Sequence, residues 1–393
     1  MRVVIAPDKF KGSLQAEEVC AAVAAGIRSV TPDVDIVHVP MADGGEGTLD
    51  AAVASGFARH TATVSGPLGA QVGADFGVRG TEAVVEMATA SGLALVSRPE
   101  RDALAASSYG TGECIRAALD LGVTRITLAI GGSASTDGGA GLLEALGARL
   151  LDADGAALGR GGGPLTELET FDLSGLDPRL ARTEFVLASD VEHALLGPEG
   201  AAAVFGPQKG ASPAQVATLE RGLARLSEVL DRALAGAGAV AAEPGSGAAG
   251  GVGYAAIAVL GAERRPGVEV VAGLTGLADK LAGADLVITG EGSFDEQSLG
   301  GKTPWGVARA AVSAGCDEII AVCGRSTLAP EQWRAAGFTA CCTVAERAAS
   351  TDESIRDAAR YLTQIGSDLA ARLLRTSPTE SSRNTARPTM ESM

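Results

Sequence analysis

The chain has 393 residues, 46% hydrophobic and 20% charged, which excludes a disordered or fibrous protein and predicts a globular body of two or three domains. A net charge of −16 excludes the basic stripe of a generic nucleic-acid binder, yet leaves room for a locally positive pocket that takes a small anion. Apolar runs such as Ile126–Ile130 are too short to span a membrane, the N-terminus lacks a signal-peptide pattern, and six Cys without a C-x-x-C pair and three scattered His point to a reduced cytoplasmic protein with no structural zinc.

Val3–Ala6 reads as a short buried strand, and Ser13 as the cap of a helix running to about Ser29. A second strand follows at Asp35–Val39 and a second helix at Glu46–Ser55, closed by Gly56. This β-α-β-α opening is that of a doubly wound parallel sheet. From His60 to Ser97 the pattern changes to short strands with turns such as Gly66-Pro67-Leu68-Gly69. A helix at Gly112–Leu121, a strand at Arg125–Ile130 and a Gly-rich loop leading into a helix through Leu150 come next. Glu184–Ala188 is predicted as a strand and residues 214–241 as a long helix. The α/β alternation resumes at Leu286–Thr289, with a helix at Pro304–Ala314, strands at Glu318–Val322 and Thr339–Val344, and a closing helix at Ile355–Leu374. The expectation is therefore an α/β protein of two domains. A discontinuous Rossmann-like parallel-sheet domain (1–62 plus 285–375) is interrupted by an inserted mixed α/β domain (63–284), and a disordered tail follows (376–393).

Five loops at element junctions carry polar chemistry. Asp8-Lys9-Phe10-Lys11-Gly12-Ser13 follows the first strand, where doubly wound sheets face their ligand, so Lys9, Lys11 and Ser13 form a candidate anion cradle. In Asp43-Gly44-Gly45-Glu46-Gly47 two acids flank paired glycines; the pattern serves either oxygen ligation of Mg²⁺ or an ordinary capped turn. Gly131-Gly132-Ser133, continuing to Asp137-Gly138-Gly139, offers backbone N–H groups that small side chains leave open to a phosphate. Lys209, between Gly206 and Gly210 and downstream of Asp190, reads as a mobile point charge. The last loop holds Glu291, Asp295 and Gly301-Lys302-Thr303; it is not a P-loop, because Glu296 stands where a glycine is required. Gly245-Ser246-Gly247-Ala248-Ala249-Gly250 matches a dinucleotide fingerprint, but no strand precedes it, which argues against NAD.

Taken together, the runs Ala6-Pro7-Asp8-Lys9-Phe10-Lys11-Gly12-Ser13, Ala42-Asp43-Gly44-Gly45-Glu46-Gly47, Gly131-Gly132-Ser133 with Asp137-Gly138-Gly139, Phe205–Gly210 and Thr289-Gly290-Glu291-Gly292 resemble the bacterial glycerate kinase family, over residues 1 to about 372. The resembling branch is the one whose members usually make 2-phosphoglycerate. The resemblance implies a flavodoxin-like domain split by an inserted α/β domain, with the site in the cleft between them. It implies ATP and glycerate as small-molecule substrates, with no nucleic acid and no membrane, and leaves a homodimer open. Two departures stand out: Ser293-Phe294-Asp295 replaces a frequent Arg-Ile-Asp, and Glu192-His193 replaces a frequent Asn-Pro. On this reading Lys9, Lys11 and Lys209 neutralise phosphate and carboxylate charge, Asp190 or Asp43 holds Mg²⁺, and Asp295 accepts the substrate's hydroxyl proton. The alternatives are a kinase of another small sugar acid and a non-catalytic nucleotide or metabolite sensor.

Overall fold

The computed structural model describes residues 1–376. The chain opens on β1 (Arg2–Ile5), α1 (Ala16–Val30), β2 (Asp35–His38) and α2 (Thr48–Ala54). Ser13 does not cap α1. Residues 10–14 close a tight turn in which Phe10 N donates to Leu14 O at 2.8 Å, and Gln15 becomes the cap, its N–H donating to Glu18 Oε2 at 2.8 Å.

An antiparallel meander follows: β3 (Ala58–Ser65), β4 (Gln71–Arg79) and β5 (Glu82–Glu86). The strand pattern expected up to Ser97 stops at Glu86, and Met87–Ser91 forms a helical turn that buries Met87 and Ala90 on one side. Next come α3 (Tyr109–Asp120), β6 (Arg125–Ala129) and α4 (Ala140–Ala145). The helix expected to reach Leu150 ends at Ala145, because the chain turns at Gly147 and pairs Arg149–Leu151 with Thr170–Asp172. After β7 (Glu184–Ala188), α5 (Pro213–Ala233) is capped by Ser212 and stops short of residue 241. The chain returns through β8 (Glu263–Arg265) and α6 (Gly267–Thr275) to β9 (Leu286–Thr289), α7 (Thr303–Ser313), β10 (Ile319–Cys323), β11 (Ala340–Thr343) and α8 (Ala358–Thr376). A break at Asp357 separates α8 from a short helix at Thr351–Arg356, where the sequence predicts one continuous helix. The tail reading falls, beyond Thr376, outside the described residues.

Two sheets result. In the first the order is β11-β10-β9-β1-β2, all parallel. Successive side chains of β1 point to opposite faces: Val3 and Ile5 pack with Val19, Val23 and Leu362, while Val4 packs with Val268, Val287 and Val307. Both faces are thus covered by helices, as a parallel sheet requires. The second sheet has the order β8-β7-β6-β5-β4-β3, with β5 to β8 parallel and the meander antiparallel. The α/β class and the parallel sheet expected from the sequence are observed; that the second sheet is mixed, part parallel and part antiparallel, is the structure's own finding. Helix α6 packs between the two sheets, Val268 and Val271 in the first sheet's core and Val270 against Val186 and Ala188 of the second. The six cysteines are free thiols, and among the described residues no helix is long and apolar enough to cross a membrane.

Candidate active site

From β1 the first sheet winds through α1 to β2 on one side, and from β9 through α7 to β10 and β11 on the other. The direction of winding therefore reverses between β1 and β9, and a crevice opens there beyond the carboxyl ends of the strands. The Asp8–Ser13 and Glu291–Asp295 loops border it, in a cavity of about 710 Å³ also lined by Lys302 and Arg325. Asp8 lies at its floor, 8% exposed, accepting from Thr303 Oγ1 at 2.8 Å. Burial first, and then the Asp43 charge, push its carboxyl well above the usual range. Lys9 Nζ donates to Glu46 O and pairs with Glu46 Oε2 at 3.3 Å, tying the first loop to the second. Among the described residues Lys11 and Lys302 have no ion-pair partner, so their charges are open to a ligand. Lys302 also stands at the N-terminus of α7, where free N–H groups favour anions. Glu291 lines the same cavity; its Oε1 is buried without a partner, and burial raises its pKa.

A second cavity, of about 490 Å³, adjoins the first and shares Lys11, Asp43, Gly45, Glu46, Gly131 and Gly132 with it. Its far wall comes from the carboxyl ends of β6 and β7 and from the Pro207–Lys209 turn. Lys209 is 2% exposed, donating to Ser133 Oγ at 2.9 Å and to Ser135 O. Burial alone drives its ammonium down to about 7, against a weak opposing pull from Asp137. Asp190 faces the cavity and takes one backbone bond, from Gly267 N to Oδ1 at 2.8 Å. Its outer surface is open to the cleft, yet the surrounding protein strips enough water from it to push its carboxyl up to about 6, with Asp43 adding to the rise.

The loops meet without side chains between them. A Cβ on Gly131 would lie 2.5 Å from Gly45 Cα, and Gly44 (φ +84°) sits where a Cβ would come within 2.9 Å of Gly267 Cα. The paired glycines thus let the Asp43–Glu46 loop of one sheet touch the Gly131 and Gly267 loops directly. Glu86, at the end of β5, holds that loop from below: it is 6% exposed and accepts from Leu49 N at 2.9 Å and Gly47 N at 3.2 Å. Its carboxyl is raised to about 7, mainly by burial.

The profile of the glycerate kinase family matches residues 3–374. The chain belongs to that family. It is 45% identical to the glycerate 2-kinase of Escherichia coli K12, over 95% of this chain and 98% of that one. It is 43% identical to the glycerate kinase of Halalkalibacterium halodurans, over 94% of this chain and 97% of that one. The crystal structure of a proposed glycerate kinase 2 from Salmonella typhimurium LT2 superposes with a TM-score of 0.84 at 43% identity, covering 95% and 98% of the two chains.

In this glycerate kinase family member the two cavities bring together Lys9, Lys11, Ser13, Asp43, Gly44, Gly45, Glu46, Gly131, Gly132, Ser133, Asp190, Lys209, Glu291, Asp295 and Lys302. Asp137 is not among them. It is fully buried and saturated by Ser108 N and Oγ, Ser107 Oγ, Gly139 N and Gly141 N, so it holds the loop in shape rather than facing a ligand. Asp295 lies in the first cavity but spends Oδ1 on the N–H groups of Gln297 (3.0 Å) and Ser298 (3.3 Å), capping the helix at Glu296–Leu299. Ser13 donates to Ile355 O at 2.5 Å, bracing the rim. Sequence reasoning missed Glu86, Arg101 and Arg325. Only Glu86, an acid closing a run of apolar strand residues, left a signal that could have been read.

Proposed function

We propose that the chain transfers the γ-phosphoryl group of ATP to the 2-hydroxyl of D-glycerate, with the nucleotide in the cavity at the reversal point and the acid in the adjoining one. Near-complete coverage of a glycerate 2-kinase at 45% identity supports the reaction. One observation supports the placement: the cavities share a wall carrying Lys11 and Asp43, so a phosphoryl group can pass between ligands without leaving the site. The strand segments that frame them form two lobes in this reading, one split in sequence and one inserted.

Phosphoryl transfer asks for positioning and charge neutralisation. Lys11 and Lys302 meet the nucleotide phosphates, and Lys209 meets the acid. Asp190 rather than Asp295 accepts the hydroxyl proton, because it lines the acid's cavity and burial raises its carboxyl to about 6, whereas Asp295 lines the other cavity and caps a helix. As the proton moves to Asp190, the hydroxyl oxygen bonds to the γ-phosphorus, the bond to the bridging oxygen breaks and ADP departs with that electron pair.

Mg²⁺ fits the donor set. Asp43 raises the pKa of both Asp8 and Asp190, so the three carboxylates share one field, but among the described residues no three acids converge tightly enough to hold an ion alone. That arrangement suits an ion which keeps water and takes its remaining ligands from phosphates. Asp43, with Asp8, would hold it, leaving Asp190 to the proton, and it would neutralise charge on the phosphate oxygens.

The test is coupled ADP release with ATP, Mg²⁺ and D-glycerate, the product resolved as 2- or 3-phosphoglycerate. Glycerate-dependent release of the 2-isomer is expected. Release only with another hydroxy acid would move the substrate, and release with none across a panel would overturn the kinase reading.

A further inference from the structure

The inner cavity contains a cation that no motif announced. Arg101 follows the 3-10 turn at Arg98–Glu100 and reaches across to the Pro207–Lys209 turn, where its Nη1 donates to Gln208 O at 2.9 Å. The contact fixes the guanidinium against the turn that carries Lys209. Gly210 makes room for it, since a Cβ there would stand 3.0 Å from Arg101 Cβ and the residue sits at φ +95°. One guanidinium nitrogen, Nε, is buried and has no partner at all. A buried donor left unpaired carries a desolvation cost that is relieved once a partner arrives. Among the described residues Arg101 has no carboxylate partner; its only polar partner is Gln208 O. Asp43 and Asp190 line the same cavity.

We infer that Arg101, together with Lys209, forms the carboxylate-recognition subsite of the acid substrate and sets its preference for acids over neutral polyols. The inference rests on the kinase reading above. A planar fork of donors matches a planar carboxylate, which a point charge alone does not orient. With the carboxylate on the Arg101 and Lys209 wall, the adjacent hydroxyl is directed toward Asp190 and the shared wall with Lys11, the end at which transfer occurs. Lys11, Arg101 and Lys209 all line this small cavity, a local positive charge that lets a chain of net charge −16 take up an anion.

The experiment is steady-state kinetics of the full chain and its Arg101→Gln and Arg101→Lys variants, with D-glycerate and with the neutral analogue glyceramide. For Arg101→Gln the KM for glycerate rises roughly 10- to 100-fold, the loss expected for charge-assisted hydrogen bonds. The KM for ATP stays within about twofold, a change smaller than the loss of one such bond. The ratio of kcat/KM for glycerate over glyceramide collapses toward one, and Arg101→Lys recovers part of the loss. An unchanged KM for glycerate, or a rise in the KM for ATP instead, overturns the subsite. A wild-type chain with no glycerate-dependent turnover overturns the kinase reading itself, a separate failure. If Arg101→Gln does not fold, the outcome rests on Arg101→Lys, whose KM for glycerate rises with ATP unaffected if the fork is what recognises the carboxylate.

Discussion

Two aspartates, Asp190 and Asp295, are chemically identical and differ in what surrounds them. Asp295 gives Oδ1 to two backbone N–H groups, the ordinary work of a helix cap. Asp190 keeps its proton until about 6, because the cleft denies it water and Asp43 repels its charge. Replacing Asp190 with Asn should lower kcat by roughly 10²- to 10⁴-fold while the KM for ATP changes little, measured by ADP release. Asp295→Asn keeps an oxygen for the cap and should turn over near the wild-type rate. Asp295→Ala removes the cap and should cost about 0.5–2 kcal/mol in urea unfolding. A rate collapse in Asp295→Asn would return the base to that position. The same surroundings set a pH dependence. Asp190 must be deprotonated to accept a proton, which requires pH above about 6, and Lys209 must be protonated to bind an anion, which requires pH below about 7. The profile of kcat/KM should therefore be a narrow bell. Asp190→Asn should flatten its acid limb, and a persistent limb would assign it to another group.

At the scale of elements, the strand-to-helix loops were the legible part. A short β-branched strand followed by a Gly/Ser/Lys loop and a helix is a local pattern, and β1, β2, β6 and β9 fall where it predicts. Less was legible where a side chain answers to another segment. Asp137 looks like a ligand in sequence because it stands among glycines; only the approach of Ser107 and Ser108 turns it into a buried brace. Arg101 acts through a loop far from it in sequence, so no spacing rule could find it, whereas Glu86 betrays itself only as an acid closing an apolar strand. The glycines behave in the opposite way: their clustering was visible and its reason was not. Gly131 is small because the Asp43–Glu46 loop lies against it, Cα to Cβ position at 2.5 Å. Gly131→Ala forces two backbones apart, with no flexible side chain to yield. The expected outcome is a loss of at least about tenfold in kcat/KM, since sub-ångström misplacement of reacting groups is costly. A fall in thermal midpoint should accompany it. Wild-type kinetics in that variant would mean that the loop contact does not set the geometry of transfer.

Across the whole molecule, the two sheets present their carboxyl strand ends to one cleft, and acids gather where they meet. Asp8 and Asp190 both have raised pKa values, in each case by burial and by Asp43. Bringing an ATP polyanion into that field needs a counter-charge beyond Lys11 and Lys302. Yet no three acids among the described residues form a site for an ion by themselves. The proposed metal, arriving with the nucleotide, would reconcile the two facts, and it would separate two consequences that a resident metal would join. Chelation with EDTA should lower turnover by more than about 100-fold and excess Mg²⁺ should restore it, because the charge on the transferring phosphoryl group is left unshielded. The same EDTA should leave the thermal midpoint of the nucleotide-free protein unchanged, because a ligand stabilises the native state, by mass action, only while it is bound, and in the proposed mechanism the metal binds with the nucleotide. ATP with Mg²⁺ should raise the midpoint and ATP with EDTA should raise it much less, a measurement that needs no acid substrate and no turnover. A midpoint that drops on chelation alone would place a metal in the resting fold and assign Asp43 and its neighbours a structural ion.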